Sequence, residues 1–134
     1  MAILTDIWGI NSVYEKRLRE VGIVHVETLL QVCAMAKQRS FLAWRTGIPS
    51  TTILEWVRQA DLLRIDGVGP EYARRLREAG VETVPDLSHR NAAVLRKRMM
   101  ETQEVKSEDC SLPSETEIMG WIEQARDLPC VLQD

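Results

Sequence analysis

The turn at residues 67–69 is the part of the chain whose residues are best suited to hold an anion. Gly67, Val68 and Gly69 separate an apolar helix end from a second helix that begins at Pro70. Glycine allows backbone conformations that a Cβ opposes, and proline suits the first helical position, where no N–H is needed. This pattern is typical of a helix-hairpin-helix motif, whose turn amides and helix start often hold a nucleic-acid phosphate. The turn is therefore a candidate phosphate site, with Val68 directed into the core.

A purely structural interpretation of the same turn is equally open. Amides at a helix start attract an anion through hydrogen bonds and the helix dipole. Glu71, however, occupies a position where DNA-binding forms of the motif often have lysine. Its carboxylate would repel a phosphate and could itself cap the amides. A tight corner that only packs, or that contacts protein, also agrees with these residues.

Basic side chains on the following helix could extend a phosphate site. An α-helix turns by roughly 100° per residue, so Arg74 and Arg77 share a face near the turn. Lys16 and Arg19 occupy the equivalent positions earlier in the chain. Two such faces, related by an internal pseudo-dyad, could contact both strands of a duplex through charge alone. The alternative is an ordinary solvated face, with each cation paired to a glutamate three or four residues away.

The chain matches itself when it is shifted by 58 residues. Residues 7–29 then fall on residues 65–87, and a later shift of 65 places Trp56 on Trp121. Self-similarity of this kind indicates two diverged copies of one unit. Because both tryptophans lie on apolar helix faces, we expect them in the core.

The first copy has a weaker form of the turn, at Gly9-Ile10-Asn11. Gly9 and Asn11 are therefore weaker candidates for phosphate contact. Asparagine tolerates the left-handed conformation, but Trp8 and Val13 beside the turn add no charge. Trp8, at the entrance of the turn, and Trp44 are candidates for base stacking or partner contact, or for the core.

Apolar residues recur at helical spacing along the chain, so we expect an all-α protein of tandem helix-hairpin-helix repeats. Two pseudo-symmetric lobes are expected, a first lobe over 1–63 and a second over 64–134 with an acidic C-terminal segment. The predicted helices span about 2–8, 13–21, 26–36, 39–46, 51–65, 71–79, 84–88, 91–102 and 115–127. Glu104–Pro113 is predicted to be a loop. Ser12 with Glu15, and Ser114 with Glu117, are predicted capping boxes.

The net charge of −3 is unevenly distributed. Residues 1–63, 64–98 and 99–134 carry +1, +3 and −7. An acidic chain usually argues against nucleic-acid binding, but both candidate turns lie in the basic part. The acidic segment could instead mimic DNA, dock a basic partner, or form a solvated surface.

Other classes of function have no residues to support them. The chain has three cysteines (Cys33, Cys110 and Cys130) and two histidines, which are too scattered for a zinc site. The odd number and the spacing of the cysteines indicate reduced thiols. No apolar stretch approaches the ~18 residues of a membrane span, and the N-terminus shows no export signal. The carboxylates form no catalytic constellation. We therefore expect a cytoplasmic protein that is not an enzyme and uses no metal, cofactor, membrane or small-molecule substrate.

Residues 63–87, together with the helix around Leu54-Glu55-Trp56-Val57, resemble an uncharacterised bacterial family of tandem helix-hairpin-helix proteins, a domain of unknown function. The resemblance covers nearly the whole chain. Gly22–Leu29 followed by Gly47–Ser50 is more distantly similar to the C-terminal domain of the bacterial RNA polymerase alpha subunit, which binds DNA and regulators. Both resemblances imply an all-helical fold, and neither supplies a catalytic residue.

The sequence thus favours a non-catalytic binding module. Our first hypothesis is weak, sequence-independent contact with a nucleic-acid backbone through the turn at 67–69. The alternative is a protein–protein interaction or adaptor module that uses the same helical corner or the acidic segment. The glycine turn and the +4 balance of residues 1–98 favour the first, whereas Glu71 and the net charge favour the second.

Overall fold

The computed structural model describes residues 3–102 and 112–133, and the protein is all-α. A 3₁₀ helix at Leu4–Asp6 precedes eight α-helices in this part of the chain. These are α1 (Ser12–Glu20), α2 (Val26–Val32), α3 (Ala36–Thr46), α4 (Ser50–Leu62), α5 (Pro70–Glu78), α6 (Val84–Ser88), α7 (Ala92–Thr102) and α8 (Glu115–Asp127). The described residues form no β-strand, and Ile3 and His25 form an isolated antiparallel bridge. None of the helices described is both long and apolar enough to cross a membrane.

Backbone contacts divide the chain into two compact units. Unit 1 comprises Met1–Asp61 with Cys130–Asp134, and unit 2 comprises Leu62–Pro129. The division falls one residue before the end of α4, close to the predicted boundary between 63 and 64.

The core of unit 2 shows why its helices form where they do. Ile118, Trp121, Ile122 and Ala125 recur at steps of three and four residues, and all four are buried. This stripe of α8 packs against α6 and α7, and α5 packs against α7. In unit 1, α4 buries Ile53, Trp56, Val57 and Ala60 with the same spacing. The predicted burial of Trp56 and Trp121 is confirmed, since they are 2% and 3% exposed.

The predicted end of one helix at 36 and start of the next at 39 are wrong, because α2 ends at Val32 and α3 begins at Ala36. The break between α2 and α3 is stabilised by the buried Arg39, whose guanidinium donates to the carbonyl oxygens of Cys33 at 3.0 Å and Ala34 at 3.1 Å. Gln38 accepts a hydrogen bond from the amide of Met35 and so caps the start of α3. Arg39 thus satisfies two carbonyls of the segment between α2 and α3, and the Gln38 cap marks the start of α3, three residues earlier than predicted.

Two further helix ends differ from expectation. The predicted capping box at Ser12 is wrong, because Asn11 is the N-cap of α1 and its side chain accepts from the Tyr14 amide at 3.0 Å. The box at Ser114 and Glu117 is confirmed, with the Glu117 amide donating to Ser114 Oγ at 3.1 Å. Helix α4 ends at Leu62, before the predicted end at 65. The predicted loop over 104–113 lies outside the described residues except for its last two positions, which are not helical.

Candidate nucleic-acid interface

The turn at 67–69 leaves α4 through two short-range hydrogen bonds and enters α5 at Pro70. The amide of Ile65 donates to the Leu62 carbonyl, and the amide of Val68 donates to the Ile65 carbonyl at 3.1 Å. Gly67 has a φ of +94°, a left-handed conformation that favours glycine. Val68 is buried in the core of unit 2, as predicted.

The indole of Trp121 lies directly under the turn. A Cβ added to Gly67 would lie 3.1 Å from Trp121 Nε1, so the backbone approaches the ring as closely as glycine allows. The ring of Tyr72, on α5, packs against the same indole with ring centroids 5.2 Å apart. The first glycine of the turn therefore has a steric function as well as a conformational one.

Gln124, one turn beyond Trp121 on α8, holds the entrance of the turn. Its Nε2 donates to the carbonyl of Asp66 at 3.0 Å, and its Oε1 accepts from the amide of Asp66 at 2.9 Å. A single amide side chain thus satisfies both polar groups of one backbone residue. Gln124 is not among the candidate residues that the sequence predicted.

The same contacts recur in unit 1 around the turn at 9–11. Gln59 Oε1 accepts from the Trp8 amide at 2.8 Å, and its Nε2 donates to the Trp8 carbonyl at 3.0 Å. A Cβ on Gly9 would lie 3.1 Å from Trp56 Nε1, and Tyr14 packs on that indole at 5.2 Å. We call these four-residue sets the hairpin clamps: Gly9, Tyr14, Trp56 and Gln59 in unit 1, and Gly67, Tyr72, Trp121 and Gln124 in unit 2.

The two turns differ at the start of the helix that follows. In unit 1 the Asn11 side chain occupies this start, with an extended φ of −94° in place of the left-handed conformation considered from sequence. In unit 2 the equivalent residue is Gly69, and α5 begins with no side-chain cap hydrogen bond. A Cβ added at Gly69 would meet no atom within 4 Å. The start of α5 is therefore open to close approach, whereas the start of α1 is occupied by its own cap.

The basic candidates of α5 lie on the surface but already have intramolecular contacts. Arg74 Nε lies 3.1 Å from Glu78 Oε1. Arg77 donates to the carbonyl of Val81 at 3.0 Å. Arg75, which the sequence places beside them, is buried. In this unit, the interpretation of the charges as paired surface cations agrees with the Arg74 contact.

The equivalent cations of unit 1 are more exposed and more loosely held. Lys16 is exposed, and Arg19 Nε lies 3.8 Å from Glu15 Oε1. Surface pairs of this kind contribute little, about 0.3–0.5 kcal/mol at helical spacing.

The carboxylate of Asp86 holds the loop whose Val81 carbonyl accepts a hydrogen bond from Arg77. Asp86 accepts from the Glu82 amide at 2.9 Å and from Arg90, whose guanidinium also donates to the Gly80 carbonyl at 2.9 Å. Burial alone would raise the pKa of Asp86. The hydrogen bonds from Arg90 and Glu82, with the charge of Arg90, outweigh burial and lower that pKa.

Within the described ranges, no cluster of three His, Cys, Asp or Glu residues could hold a metal ion. Cys33 is buried and Cys130 exposed, both as free thiols. Cys110 lies outside the described residues.

Residues 8–128 match the family model described as "Domain of unknown function (DUF4332)", and the chain belongs to this family. The expected membership of a domain-of-unknown-function family is thereby confirmed. No curated protein and no solved structure matches the chain. The helix-hairpin-helix assignment and the similarity to the RNA polymerase alpha subunit stay predictions.

Proposed function

We propose that this chain is a non-catalytic binding module that contacts a nucleic-acid backbone, without reading base sequence, through the start of α5. The contact comprises the turn at Gly67–Gly69 with Arg74 and Arg77. We further infer that both units are helix-hairpin-helix lobes. The recurrence of the hairpin clamp at corresponding positions supports this.

The observation that carries the proposal is the difference between the two helix starts. Amides at a helix start carry partial positive charge and attract a phosphate. In unit 1, the Asn11 side chain already accepts a hydrogen bond there. In unit 2, Gly69 contributes no side-chain cap and leaves open space where a Cβ would be. A phosphate oxygen can approach the start of α5 more closely than it can approach α1.

The charges around the turn predict weak binding. Arg74 and Arg77 follow the turn on one helix and are held by Glu78 and by the Val81 carbonyl. Their positive charges favour a polyanion, whereas the exposed Glu71 opposes it. Lys16 and Arg19 on α1 would add a weaker second contact, since the Asn11 cap occupies the helix start there.

The test is a titration of labelled duplex DNA with the whole chain at two salt concentrations, in which fluorescence anisotropy measures binding. Two phosphate contacts should make the affinity fall about tenfold between about 50 and 200 mM salt. Two duplexes of unrelated sequence should bind equally, because phosphates carry no sequence information.

Variants separate a local contact from general charge. Arg74→Glu with Arg77→Glu should abolish binding. Lys37→Glu with Arg45→Glu changes the net charge equally on α3 and should leave most binding intact.

Glu71→Lys should strengthen binding severalfold, because it replaces a repulsive charge with an attractive one. An unfolded variant could not produce such a gain in affinity. Absence of wild-type binding even at low salt, or no change in Glu71→Lys, would refute the phosphate contact. The protein–protein alternative, through the same corner or the acidic segment, would then become the better hypothesis.

A further inference from the structure

A groove on unit 1 is lined by residues 21–23, which follow α1, by the end of α2 and by one face of α3. Its volume is about 870 Å³. Ile23 and Leu42 form part of its lining and are buried, whereas Val32 and Phe41 stand exposed at it. Large apolar side chains exposed together mark interaction surfaces more often than single ones do.

Helix α3 presents an ordered stripe along this groove. Lys37, Phe41 and Arg45 follow one another at intervals of four residues, so they lie on one helix face over roughly 12 Å. Phe41 is 60% exposed, and its ring lies 6.1 Å from that of Trp44, which is 80% exposed. None of the residues that line the groove is acidic. The stripe is therefore cation, aromatic, cation, in a chain whose net charge is negative.

Helix α8 carries the complementary stripe. Glu115, Met119 and Glu123 also follow at intervals of four residues, and all three are exposed, Met119 by 49%. The order is acid, apolar, acid, with the same spacing as the stripe of α3. Two helices packed side by side can therefore place each carboxylate near a cation, with Met119 against Phe41. Methionine is well suited to pack on an aromatic ring.

We propose that the α3 groove binds the Glu115–Met119–Glu123 face of α8 from a second copy of this chain. The contact joins two different surfaces, so it is heterologous. The paired charges fix its register, and burial of Phe41 and Trp44 supplies most of the affinity. A membrane surface is a poorer occupant, because it cannot fill a concave groove. The inference does not depend on the proposed contact with nucleic acid.

Charge reversal gives a sharp test by sedimentation velocity from micromolar to near-millimolar chain. The wild type should self-associate with rising concentration. Lys37→Glu with Arg45→Glu should stay monomeric, and so should Glu115→Lys with Glu123→Lys. An equimolar mixture of these two variants should associate again, because the unaltered α8 face of one variant meets the unaltered α3 groove of the other, and the two reversed surfaces also carry opposite charges. Restored association also shows that both variants are folded.

Matched controls identify the surface. Glu71→Lys with Glu101→Lys reverses two exposed acids on other helices and should associate like the wild type. Phe41→Ser should weaken association about tenfold, whereas Val94→Ser, at an equally exposed apolar position on α7, should not change it.

The proposal is overturned if the wild type stays monomeric or if the mixture of reversed variants does not associate. Co-sedimentation of a monomeric wild type with anionic vesicles would also overturn it, because a membrane would then be the occupant.

Discussion

Replacing Gly67 with alanine tests whether the hairpin clamp of unit 2 is as tight as its geometry indicates. The substitution adds one methyl group, and two effects follow from it. The residue must keep a φ of +94°, and the new Cβ must lie 3.1 Å from Trp121 Nε1. Gly80→Ala is a closely matched control. It has a φ of +95° in the same unit, but the nearest atom to its Cβ is Arg98 NH1 at 3.8 Å.

The magnitude follows from separating these two effects. A left-handed conformation costs an alanine roughly 1–2 kcal/mol, and both variants bear this cost. Overpacking a well-filled site typically costs a further 1–3 kcal/mol, and only Gly67→Ala bears it. Trp121 is 3% exposed and in contact with Tyr72, so the indole has little room to move. We therefore expect Gly67→Ala to be less stable than Gly80→Ala by about 1–3 kcal/mol.

Urea unfolding followed by far-UV circular dichroism measures both losses in the same unit. Trp121→Phe supplies the decisive second measurement, because it removes Nε1 and shrinks the ring. If the contact is the cause, Gly67→Ala should cost clearly less in the Trp121→Phe background than in the wild type. Equal losses for Gly67→Ala and Gly80→Ala, or strict additivity with Trp121→Phe, would refute the steric argument.

Four further outcomes follow from the same structure. Trp121→Ala should lower the free energy of unfolding by about 3–5 kcal/mol, whereas Trp44→Ala should change it by less than about 0.5 kcal/mol, both measured by urea unfolding. Gln124→Ala removes two hydrogen bonds to the exposed backbone of Asp66, where water can replace the partner, and should cost about 0.5–1.5 kcal/mol in the same assay. Burial raises the pKa of Cys33 from 9.0 to about 11, so mass spectrometry after brief alkylation at neutral pH should find Cys130 modified and Cys33 intact. Because the unfolded chain releases the thiol proton at lower pH than the folded chain, Cys33 should make stability fall as the pH rises from 9 towards 11.

Helical periodicity and internal matching were sufficient to predict the helices and the buried tryptophans. The stripes around Trp56 and Trp121 repeat the same steps of three and four residues, and burial of a large aromatic ring dominates the local free energy. Such preferences act within a few turns of one helix, so they can be read from the sequence. The end of α2 and the start of α1 could not be read in this way, because side-chain hydrogen bonds from Arg39 and Asn11 decide them.

The glutamines of the clamps could have been predicted from the sequence, although their hydrogen-bond partners could not. Gln59 and Gln124 fall on each other at a shift of 65 residues, on helix faces that are otherwise apolar. Gln59 is buried, and a buried amide needs hydrogen-bond partners. An identical polar residue at the same place on both apolar faces was therefore a signal. Its partners, the backbones of Trp8 and Asp66, lie 51 and 58 residues away and could not be inferred from local pattern.

We expect the contacts that recur in both units to stabilise the fold, and the surface residues that differ between the units to determine binding. The clamps use side chains that face the interior, and each set has the same residue types and nearly the same distances. Once a turn is fixed from beneath, the residues on its outer side can change without unfolding it. Gly69 occupies the position that corresponds to Asn11 in unit 1. Counted from the helix start, Ala93, Lys97 and Glu101 of α7 occupy the positions of the basic and aromatic stripe of α3. Variants at these differing surface positions should therefore change the affinity for a partner and leave the free energy of unfolding nearly constant. Variants in the clamps should change the free energy of unfolding and leave that affinity nearly constant.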